Sequence, residues 1–144
     1  MKVAFCNDGL TFCQHFEQIT GLIPFGCEII ENKIKKRIVF LFKPDTETEL
    51  LETTRRQLVR NWNYSYPFEV VILHKQVEDF LRTFLSPILV LDLNTINNGK
   101  KIIITLKVPY EDRGKVIGKK GNRIKCLRQL LSQYYKINNL KLLF

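Results

Sequence analysis

The stretch best suited to chemistry is Gly118-Lys119-Lys120-Gly121, two glycines three residues apart with two lysines between them. Glycine reaches φ values that other residues resist, and it places no side chain in the way of a phosphate. Lys115, Val116 and Ile117 precede the pair, and Asn122, Arg123 and Ile124 open a long amphipathic segment after it. The pattern is that of a short helix, a tight turn and a second helix. The turn feeds a helix N-terminus, where unpaired N–H groups and the positive dipole end favour anions. The chemistry implied is non-covalent capture of a negatively charged backbone.

Charge points to the same place. The net value is +9 over 144 residues. Residues 100–144 hold twelve Lys or Arg against only Glu111 and Asp112, a net of +10, whereas residues 1–99 hold eleven basic and twelve acidic residues. The whole basic excess therefore surrounds the glycine turn, and a polyanionic partner at that end follows.

The elements that must position the turn can be read from hydrophobic spacing. Leu10, Phe12, Cys13, Phe16 and Ile19 predict a helix over 8–20, capped by Asn7 or Asp8 and ended by Gly21. Phe25 to Glu31 reads as extended, Lys33 to Lys36 as a basic turn, and 37–43 alternates as a strand with Ile38, Phe40 and Phe42 on one side. Thr46 and Glu49 have the spacing of a capping box for a helix reaching about Trp62. Asn63 to Pro67 forms a turn, and Phe68 to Leu73 a strand. Trp62, Tyr64 and Tyr66 offer aromatic faces for stacking, but at an element boundary they read first as core.

The second half repeats this order. A helix over Val77 to Leu85 ends at Ser86-Pro87, because the residue before proline avoids helical angles. Ile88 to Leu93 reads as a strand, Asn97-Asn98-Gly99 as a hairpin turn and Lys101 to Val108 as the next strand. Tyr110 to Ile117 is a short helix, Asn122 to Tyr135 a long one, and Leu140 to Phe144 a closing strand. On the long helix Ile124, Leu127, Leu130, Leu131 and Tyr134 share a core-facing stripe. Arg123 falls on that apolar side, where it either snorkels out or reaches a bound backbone; the second is preferred.

The motif Val116-Ile117-Gly118-x-x-Gly121-x-x-Ile124 resembles the core of the KH RNA-binding domain, whose Gly-x-x-Gly loop clamps about four nucleotides of single strand. The order helix–strand–strand–helix–helix–strand is that of the prokaryotic-type KH fold. The fold class expected is α+β: two tandem prokaryotic-type (type II) KH domains, each a three-stranded sheet covered by helices, at residues 1–74 and 75–144. The first copy departs from the pattern. It has no glycine between Gly26 and Gly99, and Asp45, Glu47, Glu49 and Glu52 stand where the loop should fall. Four acids there repel a phosphate.

Three further segments, Phe16-Glu17-Gln18-Ile19-Thr20-Gly21, Phe80 to Pro87 and Val116 to Gly121, resemble the archaeal NusA-like transcription factors, which consist of two tandem KH domains. The resemblance implies an RNA-binding factor in transcription elongation or termination, with single-stranded RNA and RNA polymerase as partners. It places the loop on Gly118, Lys119, Lys120 and Gly121. Val116, Ile117 and Ile124 would line the groove for bases, and Lys115, Arg123 and Arg128 would contact phosphates, which position a strand without reading it. A ribosome-associated or ribosome-assembly KH protein is the alternative.

Other classes are disfavoured. No nucleophile and base pair convincingly with His15 or His74, no P-loop pattern occurs, and an enzyme is not expected. Cys6, Cys13, Cys27 and Cys126 have no zinc-type spacing, so they read as free thiols in a reducing cytoplasm, with no metal or cofactor. No run approaches a membrane span and no secretory signal is visible, so a cytoplasmic protein with neither membrane nor small-molecule partner is expected.

Overall fold

The two sheets follow from alternation and pairing. In the computed structural model, which describes residues 7–31 and 36–144, the chain divides between Lys75 and Gln76 into two units. The first contains α1 (Asn7–Thr20), β1 (Gly26–Glu31), β2 (Lys36–Phe42), α2 (Glu49–Asn61) and β3 (Phe68–Ile72). The second contains α3 (Val77–Leu85), β4 (Asp92–Asn97), β5 (Ile102–Lys107), α4 (Arg113–Ile117), α5 (Asn122–Tyr135) and β6 (Asn139–Leu143). The class is α+β, with two three-stranded mixed sheets.

Both sheets have one topology. In the first, β2 pairs antiparallel with β1 (Cys27 opposite Phe40) and parallel with β3 (Phe40 opposite Val70). In the second, β5 pairs antiparallel with β4 (Thr95 opposite Ile104) and parallel with β6 (Ile104 opposite Leu140). A parallel pair needs a crossover, and a helix provides it. That crossover is α2 in the first unit and α4, the glycine turn and α5 in the second.

The first core gathers Phe12 and Phe16 of α1, Ile38, Phe40 and Phe42 of β2, Leu51 and Leu58 of α2, and Val70 and Ile72 of β3. The Phe16 and Phe40 rings lie 4.4 Å apart. Trp62, Tyr64 and Tyr66 pack against this core, and the Trp62 indole N–H donates to the Tyr66 carbonyl at 2.8 Å. They act as core, the preferred reading. α1 closes at Gly21, where φ is +75° and the N–H donates to the Glu17 carbonyl at 2.7 Å. The structure describes Asn7 and Asp8 by their backbone alone, so the caps expected of their side chains, like the basic turn at 33–35, fall outside what it describes; Lys36 is the first residue of β2.

Two local expectations fail. The Thr46–Glu49 capping box does not form. Thr46 N–H instead closes a turn on the Lys43 carbonyl, and α2 begins after Thr48, which makes no side-chain cap. The first strand of the second unit starts at Asp92, four residues later than the apolar run at Ile88 implies. β5 supplies pairing partners only up to Lys107, which faces Asp92 and accepts from the Leu91 N–H at 2.8 Å. Residues before Leu91 have nothing opposite them, and Leu89 and Leu91 stay 65% and 50% exposed.

The hairpin between β4 and β5 turns where expected, over a four-residue loop. Asn98 Oδ1 accepts from the Lys100 and Lys101 N–H groups, and Asn97 Oδ1 from Gly99. Ile104 and Leu106 of β5 and Val108 just beyond it are buried, as are Phe80, Leu81, Phe84 and Leu85 of α3 and Leu127, Leu130 and Leu131 of α5. Cys126 is buried as well. Among the described residues, Cys13, Cys27 and Cys126 are free thiols, and a hydrogen bond with Cys27 holds the Cys13 thiol below its ordinary range.

Candidate nucleic-acid interface

α4 stops because Gly118 takes φ 77° and ψ 173°, a backbone region essentially reserved for glycine. Its N–H donates back to the Gly114 carbonyl at 2.9 Å, and the Gly121 N–H donates to the Gly118 carbonyl at 3.1 Å. Gly121, at φ 74° and ψ 13°, is left-handed and opens α5. Lys120 is left-handed too, at φ 56° and ψ 28°. Three of the four loop residues therefore have positive φ. The sequence marked the two glycines for this and missed Lys120.

Gly118 is needed for a second reason. A Cβ on it would lie 2.6 Å from Arg123 Cβ and 2.8 Å from the Arg123 backbone nitrogen. At Gly121 a Cβ would meet nothing within 4 Å. The first glycine admits the following helix; the second only supplies a dihedral angle.

Lys119 and Lys120 are exposed at the bend, and Lys115 is exposed on α4 with its Nζ 3.9 Å from Asp112 Oδ1. An exposed pair at that distance is weak, so all three ammonium groups are available to an anion. The loop sits at the start of α5, where the helix dipole adds to their field.

The remaining expected contacts are placed differently. Val116 and Ile124 are 1% and 5% exposed, and Ile117 alone of the three is partly accessible. Arg123 is engaged by the protein itself. Its Nη1 donates to the Lys115 carbonyl and its Nη2 to the Phe84 carbonyl, both at 3.0 Å, while its guanidinium carbon lies 4.9 Å from the Phe84 ring centroid. Without RNA bound, Arg123 thus ties α3, α4 and α5 together under the bend. Arg128 donates to the Leu140 carbonyl at 3.2 Å and so joins α5 to β6. Sequence periodicity could place Arg123 on the apolar side but could not reveal carbonyls from another helix as its acceptors.

Among the described residues the first unit has no such bend. α2 runs from Glu49 to Asn61 between the second and third strands, with Glu49 and Glu52 in its first turn and Glu52 paired to Arg56 at 2.7 Å. Among the described residues no group of three or more His, Cys, Asp or Glu could hold a metal ion, and no helix is long and apolar enough to cross a membrane.

Residues 75–142 match the KhpA/KhpB KH domain family. No curated protein matches the chain. A crystal structure of a protein designated APE1850 is similar over 96% of this chain and 100% of that one, with a TM-score of 0.62 and 20% identity, which is a likeness of fold. The second unit is thus a KH domain, and a KH domain indicates RNA binding.

Proposed function

We propose that the KH domain holds single-stranded RNA by its backbone at Gly118–Gly121, with Lys115, Lys119 and Lys120 as the phosphate-facing cations, and that the protein acts on nascent transcripts together with RNA polymerase. The observation that carries the first part is the bend itself: a stretch of positive φ, free of bulk at both glycines, with exposed ammonium groups on it. The charge asymmetry of the chain supports it. The segments resembling NusA-like factors support the second part. In this proposal residues 1–74 are a KH-like domain that shares the strand order and lacks the clamp.

Affinity purification of the full chain from its native cells tests the assignment to transcription. Recovery of RNA polymerase subunits is expected. Recovery of the small ribosomal subunit in their place overturns that assignment in favour of ribosome association and leaves the RNA clamp standing. The clamp is tested separately, by titrating single-stranded RNA into the Lys119→Asp/Lys120→Asp variant.

A further inference from the structure

Tyr110 is a large aromatic left 61% exposed at the entrance to α4, one short helix away from the glycine bend. It sits in a single tight turn, Tyr110–Asp112, between β5 and α4. Arg113 lies over its ring. The guanidinium carbon is 3.6 Å from the Tyr110 ring centroid, and Nη1 donates to the Tyr110 carbonyl at 3.0 Å. The hydrogen bond and the cation over the ring hold the two side chains against each other. Although Arg113 covers one face, most of the tyrosine remains open to solvent.

An exposed phenol ring held by an arginine has no evident structural duty here, since neither side chain is buried. Bases stack both on aromatic rings and on guanidinium planes. The pair also stands in the basic half of the chain, with Lys107 before it and Lys115 after it, although Glu111 and Asp112, the two acids of that half, lie between its members. We propose that Tyr110 and Arg113 form a stacking platform for one nucleobase of the bound strand, outside the stretch held by the glycine bend. Arg113 itself opens α4, and five helical steps from it to Gly118 are about 7.5 Å along the helix axis. This proposal rests on the reading of Gly118–Gly121 as the backbone clamp and adds a base contact to it.

Oligoadenylates of four and eight nucleotides, titrated into the full chain, test it. The clamp holds about four nucleotides, so an octamer that fills it has bases left over for the platform and a tetramer that fills it has none. Tyr110→Ala should weaken octamer binding by about 5- to 100-fold, the effect of one lost base–aromatic stack, and leave tetramer binding and the salt dependence unchanged. Tyr110→Trp should restore octamer binding. Melting temperature should not move, because the ring is exposed. Equal octamer affinity for wild type and Tyr110→Ala overturns the platform while the clamp stands. Equal losses on tetramer and octamer also overturn it, because Tyr110 would then act through α4. A wild-type chain that binds neither oligomer sinks clamp and platform together.

Discussion

Nη2 of Arg123 donates to the backbone carbonyl of Phe84 at 3.0 Å, across 39 residues of chain. The same guanidinium holds the Lys115 carbonyl. One side chain therefore fixes the end of α3, the body of α4 and the first turn of α5. A lysine cannot span both carbonyls, because it lacks the planar fork. Arg123→Lys should lower stability to urea by about 1–2 kcal/mol, the range for hydrogen bonds to a cation discounted for partial exposure. It should weaken RNA binding although the charge is kept. If Arg123 acted only as a phosphate contact, Arg123→Lys would bind and melt nearly as wild type.

The two glycines should respond differently. Gly118→Ala places a methyl against the backbone of Arg123 in a region that only glycine occupies readily. A loss of about 2–4 kcal/mol, with loss of RNA binding, is expected. Gly121→Asn meets no neighbour and asks only for a left-handed residue, which asparagine tolerates. It should cost less than about 1 kcal/mol. Thermal melts of both variants decide this, and equal costs would contradict the two roles.

Lys120 should show stability and binding moving in opposite directions. A left-handed non-glycine residue costs about 1–2 kcal/mol, so Lys120→Gly should raise stability by about 1 kcal/mol. The same change removes a cation from the bend and should weaken RNA binding several-fold. Calorimetry and RNA titration on one sample check both signs.

Reversing the charge of the bend tests the electrostatics. Lys119→Asp with Lys120→Asp should abolish single-strand binding in a chain that melts as wild type. Wild-type affinity should fall with salt, by a slope of about −0.7 per phosphate contact. Glu47→Lys with Glu49→Lys in the first unit should leave affinity the same or raise it. Unchanged binding by the folded Asp variant would refute the assignment.

Local and periodic signals were legible in the sequence. The long helix α5 occupies the residues that its stripe of Ile124, Leu127, Leu130 and Leu131 predicts. α3 stops at Leu85, as Ser86-Pro87 requires, with Ser86 at ψ 135°. The glycine bend was legible because glycine at fixed spacing has few alternatives. Signals that depended on distant chain were not. The start of β4 is set by where β5 runs out at Lys107, which nothing in Ile88-Leu89-Val90-Leu91 can report. Thr46 and Glu49 have the letters of a cap, but Thr46 is already committed to the turn after Lys43. The role of Arg123 depended on Phe84, a residue of another helix.

On the proposed reading, a bend braced by Arg123 from below and set by three positive dihedrals holds its shape before any strand arrives. Capture then needs no rearrangement of the protein, and its speed is governed by collision and charge attraction alone. Observed association rates should climb in proportion to strand concentration without reaching a plateau.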